Sequence, residues 1–324
     1  MSTSLIENTP EDITPKDDAF HGSIKRLAAE WWYFDANFDN GYAVHVGCMT
    51  YSKKKRGNVT QVLDIYKDGK LVFGKKRKHK FKHFQASKQM PLVKIDNKSF
   101  IEFDKEKYEK NGDWIYNVSL KLEGQEVNLT FIGTTKGWKI ETDRESWTVA
   151  VPKASVTGSL TLNGKKINVN GTGYHDHNWN YNLKTLLTYG KGWYWGRAMS
   201  RNYNLIFAKI IRFRSQSVLL SIINQDNNGY TNVNSKDIII NFKNLIKINR
   251  KKVPSKFEIN IDSVSNEIPI KVNVLMEAQE IHYERRLLFM SYYRFHVKSS
   301  GSISVNGKKE KINDIQILEL LKFR

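Results

Sequence analysis

Cysteine is almost absent: Cys48 is the single one in 324 residues. No disulfide can close within the chain, and no multi-thiolate zinc site can be built. No run approaches the roughly 18 consecutive apolar residues of a membrane-spanning helix. Residues 1–20 are acidic and polar, with no apolar stretch of the signal-peptide kind, so a cytoplasmic location is expected. Sustained helical periodicity is missing too. Acidic side chains are in deficit, 33 Asp and Glu against 52 Lys and Arg, which leaves a formal net charge of +19. Such an excess attracts polyanions or an anionic membrane face; it also follows from a composition rich in Lys, Asn and Ile. No nucleic-acid-binding motif accompanies it. Nucleic acid is therefore not expected as a partner, whereas peripheral contact with an anionic membrane stays open.

What is present is alternation at period two. Hydrophobic residues make up 40% and charged residues 26%, ordinary for a folded globular chain. Tyr116, Val118, Leu120 and Leu122 fall on one face; Glu123-Gly124 then turns the chain into Val127, Leu129 and Phe131, which reads as a β-hairpin. Further strands are expected over Tyr42 to Tyr51, Leu205 to Ile211, Val218 to Ile223, Ile238 to Phe242, Phe257 to Ile261, Ile270 to Met276, Leu287 to Tyr293 and Ile315 to Leu321. The predicted class is all-β, barrels or sandwiches of many short strands. Two basic runs, Lys53 to Arg56 and Lys75 to Lys80, read as hairpin tips or exposed edges, where Lys blocks edge-to-edge pairing.

An internal repeat sets the organisation. Gly158-Ser-Leu-Thr-Leu-Asn-Gly-Lys-Lys166 returns as Gly301-Ser-Ile-Ser-Val-Asn-Gly-Lys-Lys309, and the Asn-Gly pair in each copy favours a type I′ hairpin turn. Upstream lie two aromatic strand starts, Trp31-Trp32-Tyr33-Phe34 and Trp193-Tyr194-Trp195-Gly196. That order is expected of one β domain present twice. We divide the chain into a mobile acidic arm (1–20), an N-terminal domain (21–182) and a C-terminal domain (183–324).

Reactive groups crowd into Gly171-Thr-Gly-Tyr174-His175-Asp176-His177-Asn178-Trp179-Asn-Tyr181. If the segment is extended, His175, His177, Trp179 and Tyr181 share one face, while Tyr174, Asp176 and Asn178 share the other. Such a face can bind a metal, run acid-base chemistry or satisfy buried polar groups by hydrogen bonding. A His-x-His pair supplies two metal ligands and needs a third, with His45, His83, His282 and Glu30 in reserve; no metal or cofactor is expected. For catalysis, an acid in an apolar pocket would donate a proton while an imidazole takes one from water, and the rings of Trp179, Trp195 and Tyr181 would steady a developing cation. Glu30 and Arg197, each beside an aromatic cluster, read as ion-pairing groups.

The combination of Glu30-Trp31-Trp32-Tyr33-Phe34-Asp35-Ala36, Gly173-Tyr174-His175-Asp176-His177-Asn178-Trp179 and Trp193-Tyr194-Trp195-Gly196-Arg197-Ala198 resembles the AttH-like or carotenoid 1,2-hydratase (hydroxyneurosporene synthase) family over residues 22–324. The resemblance implies two tandem lipocalin-like antiparallel β-barrels. It also implies a hydrophobic small-molecule ligand or substrate of isoprenoid kind, and an enzyme of the hydratase (lyase) or cyclase type, with a non-catalytic lipid- or isoprenoid-binding protein as the alternative. His177-Asn178-Trp179 matches the family's His-x-Trp pair, but no Tyr-x-Asp follows it; Tyr33-Phe34-Asp35, Tyr66-Lys67-Asp68 and Tyr174-His175-Asp176 all come earlier. His177, Asp176, Trp179 and His175 are the expected catalytic residues, with Asp35 a second candidate acid. Trp31, Trp32, Tyr33, Tyr174, Tyr181, Trp193 and Trp195 are the expected ligand-binding residues.

Overall fold

A computed structural model describes residues 9–22, 28–53, 56–142, 145–181, 191–211, 218–225, 229–287 and 290–323. Two compact units fall within Pro10–Leu186 and Leu187–Arg324; the expected boundary at 182/183 lies outside the described residues. The first unit carries β1 (Ala28–Phe38), β2 (Tyr42–Lys53), β3 (Arg56–Lys67), β4 (Lys70–Lys80), β5 (Phe84–Ala86), β6 (Leu92–Ile95), β7 (Lys98–Phe103), the helix α1 (Lys105–Asn111), β8 (Ile115–Leu122), β9 (Gln125–Gly133), β10 (Trp138–Glu141), β11 (Ser146–Leu162) and β12 (Lys165–Tyr181). The second carries β13 (Gly192–Met199), β14 (Tyr203–Ile211), β15 (Val218–Gln225), β16 (Gly229–Val233), β17 (Ile238–Ile248), β18 (Lys251–Ser265), β19 (Ile268–Leu287), β20 (Met290–Val305) and β21 (Lys308–Phe323).

Each unit is one antiparallel sheet. The first runs β4-β3-β2-β1-β12-β11-β9-β8-β7-β6-β5 with β10 attached to β11, and the second runs β16-β15-β14-β13-β21-β20-β19-β18-β17. One curls nearly into a closed barrel and the other into a half-barrel. In both, the aromatic-rich first strand pairs with the last, β1 with β12 and β13 with β21. The repeated Asn-Gly pairs close matching two-residue hairpins. Leu162 pairs with Lys165 and Val305 with Lys308, and Asn163, Gly164, Asn306 and Gly307 all have positive φ near 50° or 79°, as type I′ turns demand.

The alternation read from sequence becomes the core. Along β8, Tyr116, Val118, Leu120 and Leu122 are buried while the residues between them are exposed. They meet Val127, Leu129 and Phe131 of β9 together with Trp32, Phe34, Ala36 and Phe38 of β1. The basic run at Lys75 to Lys80 lies along β4, an exposed edge strand; Lys54 and Lys55 of the other run are outside the described residues. Among the described residues no helix is long and apolar enough to cross a membrane.

Two expectations are corrected. The strand drawn from Leu287 to Tyr293 is the end of β19 and the start of β20, which pair antiparallel with Leu287 opposite Met290, because alternation alone does not mark where one strand ends and the next begins. The acidic arm is not free over residues 9–20. Glu11 and Lys139 exchange both backbone hydrogen bonds, Asp17 pairs with Lys139 at 2.9 Å, Phe20 N–H donates to Ser87, and Asp18, in a short 3-10 turn (Pro15–Asp18), is completely buried. Acids of the expected mobile arm are charge partners for groups that lie far along the chain, Asp12 for Lys136, Asp17 for Lys139 and Asp18 for His175.

Candidate functional site

β12 comes close to β1 because glycines line the approach. A Cβ on Gly171 would stand 2.1 Å from the Asn37 carbonyl oxygen, and one on Gly173 would strike Val156, Phe131 and the Asp35 carbonyl, all under 3.0 Å. The register runs unbroken from Gly171–Phe38 to Asn178–Trp31, with no bulge in this pairing. Strict alternation follows. His175 and His177 turn into the core opposite Phe34 and Trp32; His175 stacks on Phe34 with centroids 3.8 Å apart, and His177 on Trp32 at 4.3 Å.

Asp176 therefore faces the other way. Its carboxylate accepts from Trp147 Nε1 (2.8 Å), Tyr174 OH (2.7 Å) and Asn178 Nδ2 (3.2 Å), away from both imidazoles. The expected grouping of His175, His177, Trp179 and Tyr181 on one face also breaks at its end. Asn180 takes a left-handed φ of 62°, the register shifts between Ala29 and Trp31, and this bulge turns Tyr181 toward Trp31, ring to ring at 5.2 Å. Trp179 keeps company with the histidines through His21, whose ring lies flat on the indole at 3.7 Å and 5.5 Å from that of His177.

The groups that face the imidazoles are Asp18 and Glu30, neither expected as a catalytic acid. Asp18 Oδ2 accepts from His175 Nε2 at 2.9 Å and from Tyr116 OH at 2.7 Å, and Asp18 Oδ1 lies 3.4 Å from His177 Nδ1, an ion-pair contact rather than a well-formed hydrogen bond. His175 Nδ1 faces the Tyr33 carbonyl at 2.9 Å. Glu30 Oε1 sits 3.0 Å from His177 Nε2 and also accepts the His21 N–H; Oε2 accepts the Gly22 N–H. His175, His177 and Asp18 have no exposed side-chain surface. Glu30 is thus taken by His177, and Arg197 Nε donates to Gln316 within the second unit.

Electrostatics follow from this geometry. Burial alone would lower the His177 pKa, but the close contact of Asp18, the hydrogen bond to Glu30 and the negative charges of both outweigh it and hold the ring up to about 9. Burial would raise both carboxyls, yet the two imidazoles pull Asp18, and His177 with His21 pulls Glu30, below the usual carboxylate range. The resting cluster is a buried imidazolium between two carboxylates. His21, Glu30 and His177 each also offer one donor atom, the three lying within 4.8 Å of one another.

The remaining expected ligand-binding residues do not gather here. Trp32 is core beneath His177. Tyr33 and Tyr174 sit on the opposite face beside His45, which pairs with Asp64 at 2.9 Å. Asp35 is buried. Trp193 packs on Phe323, and Trp195 lies 5.9 Å from Arg197, both in the second unit. What sequence reasoning missed is Asp18, His21 and Tyr116; the available signal was a short acidic turn ending in an aromatic and a histidine, Asp17-Asp18-Ala19-Phe20-His21.

The AttH-like family pattern matches residues 8–310. The chain belongs to the AttH-like family. This AttH-like protein shares its fold with the crystal structure of an AttH protein of Nitrosomonas europaea (12% identity, 97% of this chain and 98% of that one, TM-score 0.65). It also matches CghA in complex with Sch210972 (11%, 92% and 89%, 0.56) and kievitone hydratase of Nectria haematococca (12%, 98% and 97%, 0.50). At such identities the likeness is one of fold. Stronger sequence matches are local. A hydroxyneurosporene dehydrogenase of Chlorobaculum tepidum is 39% identical over 72 residues, and the quinolone epoxide rearrangement protein of Penicillium thymicola 36% over 58. The matched stretches span 20% and 18% of this AttH-like protein and only 18% and 16% of those relatives.

Proposed function

We propose that this AttH-like protein binds a hydrophobic small molecule of isoprenoid or related kind in lipocalin-like barrels and rearranges, cyclises or hydrates it by acid-base chemistry, with His177 as the proton donor. One observation carries the reading: His177 is fully buried, stacked on Trp32 and clamped between two carboxylates that keep its ring charged. Donation to a substrate oxygen leaves a neutral His177 ring beside Glu30, and the ring regains its proton from the substrate carbon or water that loses one as the reaction completes; His175 and Asp18 hold the arrangement as positioning residues. Trp179 Nε1 and His21 Nδ1, buried atoms with no hydrogen-bond partner, supply polar contacts for a ligand at the rim.

The upward direction of the shift narrows the chemistry. An imidazolium whose pKa is raised to about 9 is a weak acid, suited to an oxygen such as an epoxide, carbonyl or phenolate and poorly suited to an isolated alkene. Hydration of an unactivated carotenoid double bond fits it less well, in keeping with the missing Tyr-x-Asp pair. The names of the relatives, a hydratase and an epoxide rearrangement protein, support a reaction of this oxygen-centred class.

The alternative is a binding protein without chemistry. It is favoured by the zero exposure of both imidazoles, since turnover requires the His21 and Trp179 rim to open. A cytoplasmic or membrane-peripheral site of action belongs to either reading, and the exposed basic strand β4 supports the peripheral form. Native mass spectrometry of the purified protein, with the bound material released and identified, names the ligand class. Turnover that survives His177→Gln in a folded protein would end the catalytic reading; a ligand recovered chemically unchanged after long incubation would establish the alternative.

A further inference from the structure

We propose that His21 Nδ1, Glu30 Oε1 and His177 Nε2 form a binding site for one divalent transition-metal ion of the zinc class, with Asp18 as the carboxylate behind His177. The ion would take the place of the proton at His177 Nε2, so the metal-bound form is distinct from the protonated form of the acid-base reading, and the inference does not require turnover.

Distances come first. Glu30 Oε1 lies 3.0 Å from His177 Nε2 and 3.7 Å from His21 Nδ1. Two bonds of about 2.1 Å meeting at a tetrahedral angle separate their ligand atoms by about 3.4 Å, so these two pairs need shifts of a few tenths of an ångström, while the two imidazole nitrogens, within 4.8 Å of each other, close on the ion by rotation of the rim residue His21. Among the described residues, this is the group of three His, Cys, Asp or Glu donors that converges closely enough. Its donors are two imidazoles and one carboxylate, a set that suits zinc, cobalt, nickel or iron and not the oxygen-preferring calcium or magnesium.

The outer contacts match what a metal-bound histidine needs. Such a ring passes its second nitrogen to a carboxylate or carbonyl, which fixes tautomer and orientation. His177 Nδ1 faces Asp18 Oδ1 at 3.4 Å, and Asp18 is itself held by Tyr116 OH and His175 Nε2. His21 is pre-oriented by its flat stack on Trp179, and its Nδ1 is a buried atom that makes no hydrogen bond. That nitrogen has been desolvated with no hydrogen bond and only the Glu30 carboxylate 3.7 Å away, a cost that a bound ion removes. The His21 side chain is 24% exposed, so an ion can enter there and keep a fourth position open to water or to a ligand oxygen, as three-ligand zinc sites do.

The test uses the full-length, untagged protein, stripped with a chelator and dialysed against Zn2+ or Co2+. The expected result is one ion per chain by elemental mass spectrometry, with a cobalt visible spectrum of low-symmetry nitrogen and oxygen coordination. His21→Ala changes a rim residue and should weaken binding at least 100-fold. Asp18→Asn, which spares the three ligands, should weaken it about 10- to 100-fold. His83→Ala, which removes an imidazole paired with Asp96 and not with the three ligands, should bind as the wild type does. Less than a tenth of an equivalent bound by the wild type, or His21→Ala binding with unchanged affinity and spectrum, would overturn the proposal. Should His21→Ala lose its circular-dichroism signature, His21→Gln answers the same question. Ligand recovery from the stripped wild-type protein reports separately on the acid-base reading.

Discussion

Asp18 and His175 stand 157 residues apart in the chain and meet at 2.9 Å with neither side chain exposed. A buried carboxylate and imidazole at that distance hold each other's charge, and removing one strands the other in a low-dielectric interior. Asp18→Ala should accordingly destabilise the first unit by about 3–5 kcal/mol, read as a fall in the urea midpoint. A loss below about 1 kcal/mol, the size of a surface pair, would mean that the network contributes little.

The hydroxyl of Tyr116 donates to the same carboxylate at 2.7 Å, and its ring packs in the core. Tyr116→Phe keeps the ring and deletes one hydrogen bond to a charged group. The expected cost is about 1.5–3 kcal/mol, and in combination with Asp18→Ala it should add almost nothing, because the two changes remove one shared interaction. Full additivity in the double mutant would refute the coupling.

The charge pattern predicts a stability plateau with two limbs in the metal-free protein. His177 has its pKa raised from 6.5 to about 9 on folding, so its contribution is complete below about pH 6.5 and fades as pH rises through 9. At 1.36 kcal/mol per unit this is about 3 kcal/mol, shared with Asp18 and Glu30. Those carboxyls shift downward, so their contribution is present above their ordinary range near pH 4 and is lost as pH falls below it. Denaturant midpoints between pH 3 and pH 10 should show both limbs, and His177→Gln should flatten the alkaline one.

Position 180 needs a residue that tolerates left-handed backbone, with φ at 62°. Asn180→Gly should be tolerated, whereas Asn180→Val should cost about 1–2 kcal/mol more than glycine. A shifted bulge would also change the packing of Tyr181 on Trp31, visible in near-ultraviolet circular dichroism. Equal stability of the two variants would show that the bulge can relax away.

Strand β4 is an unpaired edge carrying Lys76 and Lys78, both exposed. Replacing the two by Val leaves a longer apolar edge beside Leu71 and Val72, which are already 38% and 47% exposed. Light scattering should then report self-association at concentrations where the wild type is monodisperse. An unchanged particle size would remove the protective role of the lysines.

Strand alternation, the Asn-Gly hairpins and the placing of His175 and His177 on one face were legible because each is a local pattern of period two or a turn with a fixed residue demand. The partners of those histidines were not. Asp18 sits in a polar stretch with no periodicity, and its burial depends on a cation supplied by the last strand of the sheet. Asp176, adjacent in sequence, looked like the acid; alternation in an unbroken register sends it to Trp147 and Tyr174 instead. Tyr181 was misplaced by a single residue in left-handed conformation, a feature that the residue type permits but does not announce.

The joining of β1 to β12 has a temporal meaning as well. During synthesis Asp18 and Glu30 leave the ribosome long before the β12 histidines that neutralise them, and β1, which can pair early with β2, waits for its second partner until the hairpin of β11 and β12 has been made. Contacts of such long sequence separation are slow to form. The cluster can therefore exist only in a finished first unit, so a nascent or prematurely terminated chain would carry the two acids exposed and chemically idle.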